Sequence, residues 1–599
     1  MKPIDRRDFV RTTLAGAAAL GLVRTTARAA GAPDGAEEGD ASPPAPSPGG
    51  IVRADLSRAT PAAALTRDFA PGKWQLVDFE TVEGVNGTMA SALPDADCAT
   101  LTLPLEVEGP HHVYLAFNHT NSPYPDFSSH GQLDVRLSGD PGFRRVAAEA
   151  AGLEGQPLFK SVQEIFWRTA DLTGRALEFR QPQPPYRWPR EAGIATLCYV
   201  RLVPAAAAEV RDWEESQPRA GTRSLAMIYC TAQLSGSTDG TRTFQPRSEQ
   251  WFADDFQAYR GTDVGVFIFE ALRGNYCLYH SRIGDVGPEG NRWGDDWVDP
   301  LAAFTRLAHA DGMKILAALR MIGPQYPLNR APIGAARPYW AHPEWTKRDR
   351  QGRPVGNLSL AYPGVRQYWL ALLRETLAYG VDGLQLHLNR GTPFVLYEEP
   401  AVRDFIARHG IDPRQLPEHD PRWLAHAAGY TTQFVREVRA LVNEVPGRQL
   451  GVTVFGPTKS RPGDEHYSDK SYVCDVETWL REGLVDYVIP SQRIDLGVLR
   501  RWRELAGDRV HLWPDLMPRS QPPADYVALA RRYREAGADG FGLWDGERRH
   551  ARLTQWEAVR QLGHVDRYPR IVAAAAGHFR SVPLATLGGL SAQDSFRDG

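Results

Sequence analysis

Charge of one sign is what this 599-residue chain has least of: 69 Lys and Arg against 72 Asp and Glu leave a net of −3. That balance excludes a disordered polyelectrolyte, and it argues against a nucleic-acid partner, because binding phosphates by counterion release needs a basic stripe. Lysine is scarce as well, with seven residues beside 62 arginines, which reads as a compositional bias of the genome rather than as dozens of selected carboxylate clamps. The five cysteines are scattered and odd in number, so neither a disulfide framework nor a CxxC metal knuckle is present. Cys230, in the apolar run 225–230, reads as a small core residue. After the N-terminus no segment approaches 18 uninterrupted apolar residues, so no membrane span is expected. No GxGxxG opens a helix after the first long apolar strand, and no Walker lysine loop or HExxH is found; no cofactor and no metal are expected.

What is present starts with an address label. Arg6 and Arg7 form a twin arginine, Phe9 follows, 12–23 is apolar, and small residues lead to an Ala-x-Ala at 27–29. Residues 1–30 therefore read as a twin-arginine export signal, with an apolar stretch too short to cross roughly 30 Å of hydrocarbon. The expected location is periplasmic or extracellular. Residues 31–51, rich in Pro, Ala, Ser, Gly and acid, read as a flexible tether.

From 52 to 205 the chain is a series of short alternating runs broken by turn residues, at 74–79, 99–105, 112–117, 132–137, 165–168, 177–180 and 194–202. Such a series predicts an antiparallel, jelly-roll-like β-sandwich. After a polar linker at 206–223 the rhythm becomes apolar strand, loop, amphipathic helix. Strands are expected at 225–230, 264–269, 314–320, 382–388, 449–455, 486–489, 509–513 and 539–544, with helices such as 300–310, 365–379, 423–442 and 524–536. This predicts a (β/α)₈ TIM barrel over 224–565, with an open doubly wound sheet as the alternative and 566–599 left as a tail.

In such a barrel chemistry lies at the C-terminal ends of the strands, and alternation decides what enters the lumen. In the fourth strand Leu384, Leu386 and Leu388 share the face under the helices, while Gln385, His387 and Asn389 face inward with Arg390 at the rim. The following loop carries Tyr397, Glu398 and Glu399, acids that a helix dipole alone would also favour before Pro400. The seventh strand aims Trp513 and Asp515 inward, and the eighth ends at Trp544 and Asp545. Glu270 ends the second strand, Arg320 the third, and Asp475 follows the fifth, where an N-cap is the plainer reading.

Rim carboxylates, arginines and aromatics together suit a carbohydrate, since sugar C–H faces stack on rings and hydroxyls pair with Asp, Asn, Arg and His. The chain holds 16 Trp, 21 Tyr and 22 Phe. Glycosidic cleavage asks for one protonated and one ionised carboxyl group, and their separation sets retention or inversion. Glu398 and Asp515 are the leading catalytic pair, with Glu270 and Asp545 in reserve. Arg320, His387, Asn389, Arg390, Tyr397, Asp475, Trp513 and Trp544 are the expected sugar contacts.

The run Leu358-Ser359-Leu360-Ala361-Tyr362-Pro363-Gly364-Val365-Arg366, then Tyr379-Gly380-Val381-Asp382-Gly383, Arg390-Gly391 and Tyr397-Glu398, and later 476–486, resembles the glycosyl-hydrolase-like ten proteins. The resemblance covers about residues 224–565 and implies a secreted barrel related to carbohydrate-active enzymes, often beside a β-sandwich. Related barrels often carry an Asp at the end of the fourth strand; here that position is His387, so the acid would come from Glu398 or another strand. A barrel that binds glycan without cleaving it is the rival reading, and a metal-assisted hydrolase or lyase is a third.

Overall fold

A computed structural model describes residues 50–92, 96–118, 132–147, 160–182, 195–230, 246–274, 276–287, 296–321, 337–389, 392–456, 469–544, 549 and 552–595. The signal and nearly all of the tether lie outside the described residues, as do Arg390 and Asp545. No described helix is long and apolar enough to cross a membrane.

Two antiparallel sheets form the first part. The smaller pairs Leu101–Pro104, Ala176–Arg180, Gln132–Leu137 and Arg144–Ala147 in that order. Its strands alternate: Leu177 and Phe179 are buried while Glu178 and Arg180 are not. Those apolar faces meet Trp74, Val113, Leu115 and Ile165 of the larger sheet in one core, where Trp74 sets its ring edge on Phe179 at 5.3 Å.

The larger sheet runs Ile51–Arg53, Tyr199–Pro204, Pro110–Asn118, Ser161–Asp171, Phe579–Leu587, Trp74–Thr81, Asn86–Ala92 and Ala195–Leu197. The strand Phe579–Leu587 corrects the expectation of a tail at 566–599. It lies inside the sheet, with Phe579 opposite Ile165 on one side and Leu584 opposite Thr81 on the other. Arg580 anchors it, donating from Nε to Glu164 at 2.8 Å and from Nη1 to Glu83 at 2.8 Å. Glu164, 4% exposed, also accepts from Arg201 at 2.8 Å. Tyr568–Ala575 is a helix that buries Tyr568 and Ile571. Two smaller boundaries also move: pairing starts at Ile51, and the linker at 206–223 contains the helix Ala207–Glu215.

The second part is a ring of eight parallel strands: Leu225–Tyr229, Val264–Arg273, Lys314–Arg320, Gly383–His387, Gln449–Phe455, Tyr487–Ser491, His511–Leu512 and Phe541–Trp544. Each pairs with the next, and the eighth pairs with the first from Leu225 opposite Phe541 to Ile228 opposite Trp544. The seventh joins the eighth through the bridge of Asp515 with Gly542. The pairing therefore closes instead of ending in open edges. Helices follow the strands, several opened by an Asp N-cap and a proline in the first turn, as at Asp299-Pro300 and Asp420-Pro421.

Strand alternation divides the apolar residues into two cores. Leu384, Leu386 and Leu388 join the large cluster under the helices, as their phase predicts. The lumen holds a separate cluster with Ala226, Ile228, Ile268, Ala318, Tyr487, Ile489, Trp513 and Trp544. Glycines make room for its large side chains: a Cβ on Gly540 would meet the Trp513 indole nitrogen at 2.9 Å, and one on Gly451 would overlap the Gln385 amide. Gly451→Ala should therefore displace Gln385 and cost roughly 1–3 kcal/mol, read as a lower unfolding temperature by circular dichroism. An unchanged unfolding temperature would mean that Gln385 has room to move.

Candidate active site

At the C-terminal ends of the ring strands, polar side chains converge on Trp544. The second strand shifts register between Phe269 and Leu272, and this irregularity carries Glu270. Glu270 is fully buried and accepts from Arg320 Nη1 at 3.0 and 3.3 Å. The Arg320 guanidinium lies over the Trp544 ring, 5.5 Å from its centroid. His387 meets the same indole edge-on at 5.0 Å, and its Nδ1 is 3.0 Å from Thr453 Oγ1, which also accepts from Gln385 Nε2 at 2.9 Å.

On the other flank Asp515, 2% exposed, accepts the Trp544 backbone N–H at 3.2 Å and Arg549 Nη2 at 3.3 Å. Arg549 also donates to the carbonyls of Leu516 at 2.6 Å and Trp544 at 3.1 Å. Glu270 thus faces Arg320, whose guanidinium covers the Trp544 ring, while Asp515 faces Arg549 and holds the Trp544 backbone. Asn389, 1% exposed, continues the inward row, and its Oδ1 has no hydrogen-bond partner among the described residues.

Three expected site residues are placed elsewhere. Glu398 is fully buried, but its oxygens accept the backbone N–H groups of Arg348 at 3.0 Å and Leu396 at 2.8 Å. It is clamped in the loop by the hairpin of Thr346–Arg348 with Pro354–Leu358, whose Lys347 is the charge it faces. Burial pushes the Glu398 carboxyl up and the Lys347 ammonium down to about 8. Tyr397 stacks on Trp423 of the helix Pro421–Val442 at 5.1 Å instead of standing at the mouth. Asp475 is the N-cap of Val476–Glu482, accepting from Thr478 N–H at 3.2 Å, so the plainer reading holds. Trp513 packs in the lumen against Tyr487 at 4.7 Å, in the same buried cluster as Trp544.

Two contributors escaped the sequence reading, and so did a buried acid on a nearby segment of the chain. Thr453 and Arg549 have no pattern of their own; their roles arise from the partners that the ring brings to them. Asp469 lies on the segment after the fifth strand, where Tyr472 packs on Phe455 at 4.9 Å and on Phe394 at 6.5 Å. It is 3% exposed, and burial pushes its carboxyl up to about 7 although the Lys470 N–H donates to it at 2.8 Å. Its neighbour Val473 holds a φ of 56°, and Gln492, just past the sixth strand, one of 65°. A β-branched residue there is strained, and such strain gathers at functional sites. Among the described residues no three His, Cys, Asp or Glu side chains are grouped to hold a metal ion.

Residues 260–494 match the family model Glycosyl hydrolase-like 10, the family that the stretches at 355–399 and 476–486 resemble. The match takes in Glu270, Arg320 and His387 and stops short of Asp515 and Trp544. No curated protein matches the chain. Solved structures that align with it include the cycloalternan-degrading enzyme from Trueperella pyogenes, 11% identical with a TM-score of 0.33 over 83% of this chain and 76% of that one. The alpha-galactosidase from Thermus thermophilus, in complex with p-nitrophenyl alpha-D-galactopyranoside, is 12% identical with a TM-score of 0.32 over 83% and 94%. Morphinone reductase in complex with tetrahydroNAD is 14% identical with a TM-score of 0.31 over 54% and 82%.

Proposed function

We propose that this chain is an exported glycoside hydrolase, built on a (β/α)₈ barrel braced by its β-sandwich, that cleaves an oligo- or polysaccharide at the strand ends around Trp544. The observation that carries this reading is the placing of Glu270 and Asp515 at strand ends around Trp544, the first linked to its ring through Arg320 and the second to its backbone, in a ring that bears the family match. Arg320, His387 and Asn389 supply the hydrogen-bonding groups that a sugar ring needs.

The chemistry divides as follows. Asp515, opposite Arg549, is the ionised carboxylate that attacks the anomeric carbon or activates water. Glu270 shares that floor, held by Arg320. The leaving oxygen needs a proton, and the acid assigned here is Asp469, beside Asp475 and Glu477 on the segment after the fifth strand, where burial raises its carboxyl to about 7. The rate then falls as pH rises through about 7, because the acid loses its proton.

Asp469→Asn tests this division. It should cut turnover of a natural glycan by about 10²–10⁴-fold, while an aryl glycoside with an acidic leaving group, which departs without help, loses far less. Equal losses on both substrates would remove Asp469 from the acid role. Stability supplies a control. The folded chain keeps this proton up to about pH 7 and the unfolded chain releases it near 4, so wild-type stability declines between those values. The variant lacks that decline, and its unfolding temperature gains on the wild type as pH rises.

A second reading is favoured by one feature: both carboxylates already face arginines, as in a barrel that binds glycan without cleaving it. Calorimetric binding of a glycan with no product released would establish that reading.

A further inference from the structure

On the strand-end side of the ring one short segment leaves an indole in the open. The loop after the third strand carries the helix Arg337–Ala341 and the 3₁₀ turn Pro343–Trp345, before the hairpin whose Arg348 N–H holds Glu398. Trp345 fixes the height of this segment: a Cβ on Gly364 would meet its indole at 2.3 Å, so Trp345 lies on the first turn of the helix Pro363–Leu377. That helix leads to the start of the fourth strand, and its own first turn is therefore at the end where the strands finish. Glu270 and Asp515 stand at the same end.

The segment is tied at several points. His342 N–H donates to the Pro338 carbonyl at 2.8 Å, Trp345 N–H to the His342 carbonyl at 3.0 Å, and Ser359 N–H to the Trp345 carbonyl at 2.9 Å. The His342 imidazole stacks on the Trp345 indole at 3.8 Å, with the two planes 11° apart. Next along the chain, Lys347 Nζ donates to Thr392 Oγ1 at 3.1 Å, which joins the hairpin to the loop after the fourth strand. A backbone held in this way presents its outward side chains in a fixed place.

Trp340 is what it presents. The residue is 66% exposed and is the only exposed tryptophan among the described residues. Single apolar side chains in solvent are ordinary. This one is set apart by its size, by its place at the strand-end side and by its neighbours. Ala341 and Pro343 beside it are exposed as well. His342 Nδ1 is 3.0 Å from Glu344 Oε1, and those two side chains are 44% and 61% exposed. An open indole face next to an imidazole and a carboxylate meets the two needs of a sugar, because the indole takes the C–H face and the polar pair takes hydroxyl groups.

We propose that Trp340 is a sugar platform outside the cleavage site, holding a stretch of a neutral glycan chain beyond the bond being cut. The choice of a sugar rests on the carbohydrate reading of the strand-end site; the exposure of the indole and its place on the ring do not. Glu344 favours a neutral chain over an acidic one, since its carboxylate repels another carboxylate. The consequence is a preference for polymers. A chain long enough to reach both places is captured at one and delivered to the other at a high effective concentration, which a short oligosaccharide forgoes.

Native electrophoresis of the full-length protein through gels that hold soluble starch, dextran, galactomannan or polygalacturonate tests this. At least one of the three neutral polymers should retard the protein, and polygalacturonate should retard it less. Trp340→Ala should raise the apparent dissociation constant for that neutral polymer by about tenfold, and Trp340→Tyr, which keeps an aromatic face, by less than about threefold. The unfolding temperature should stay the same, because the indole is mostly in solvent already. On a polymer that is cleaved, the loss in Trp340→Ala should fall on KM and spare kcat. Retardation by none of the neutral polymers, or equal retardation of wild type and Trp340→Ala, would overturn the inference even if glycan cleavage is found. Polygalacturonate retarding the protein as strongly as the neutral polymers would overturn the neutral assignment. Retardation that depends on Trp340 in a protein that releases no product would instead count against the hydrolase reading alone.

Discussion

Replacing Asp515 by Asn should lower turnover by about 10³-fold or more and also lower stability, and the two losses should be separable. The amide keeps the shape and can still accept the Trp544 N–H, so the local geometry survives. What goes is the negative charge, the property that an attacking carboxylate or a base requires. Arg549, whose side chain is 2% exposed, is then left buried beside a neutral group. Stranding a buried charge costs about 3–5 kcal/mol, so the unfolding temperature falls with the rate. Asp515→Asn combined with Arg549→Gln should recover most of the stability and none of the activity. If activity returned with stability, Asp515 would be a structural ion-pair partner and no more. Glu270→Gln, leaving Arg320 in the same position, is the parallel case. Near-wild-type rates on a cleaved glycan in both amide variants would end the assignment of this floor as the active site.

Removing residues 577–599 should prevent the sandwich from forming a stable domain. The strand Phe579–Leu587 is hydrogen-bonded on both sides, to Ser161–Asp171 and to Trp74–Thr81, so its loss splits the larger sheet and bares two edges at once. Unpaired edges recruit other strands, and aggregation follows. The deletion also takes Arg580 from Glu164, leaving that buried carboxylate with Arg201. Insoluble protein, or a soluble one unfolding more than about 10 °C lower, is expected from a loss of several kcal/mol. Wild-type melting of the truncated chain would show that the two halves of the sheet stand without their connector. Arg580→Ala keeps the strand and should cost much less, which separates backbone pairing from the ion pairs.

Much of the ring was legible because each of its strands is a short apolar run, and the phase of Leu384, Leu386 and Leu388 against Gln385 and His387 settled which face turns inward. Membership of the strand-end group was legible for Glu270, Arg320, His387 and Asp515, since a strand end fixes both height and direction. Loop residues were not, because a loop fixes only the end of the ring. Glu398 and Tyr397 follow the fourth strand as expected, yet the hairpin at 346–358 captures one and Trp423 the other. Asp469 sits in a polar stretch where nothing in the spacing distinguishes a buried acid from a solvated one. Phe579–Leu587 was missed for a different reason: its partners lie some 400 residues earlier, and a lone alternating run after a helix looks like a tail.

The sandwich is thus written in two instalments, 51–204 and 579–591, with the whole ring between them. A ribosome delivers the first instalment early and the closing strand late, so the two gap-flanking strands must wait through the synthesis of the ring. Pairings of such long sequence separation form slowly. Sealing of the sheet therefore becomes a timestamp: a chain with a closed sandwich is one whose ring has already been made. For a protein expected to leave the cytoplasm by a route that carries folded cargo, that last strand would serve as the mark of a finished molecule.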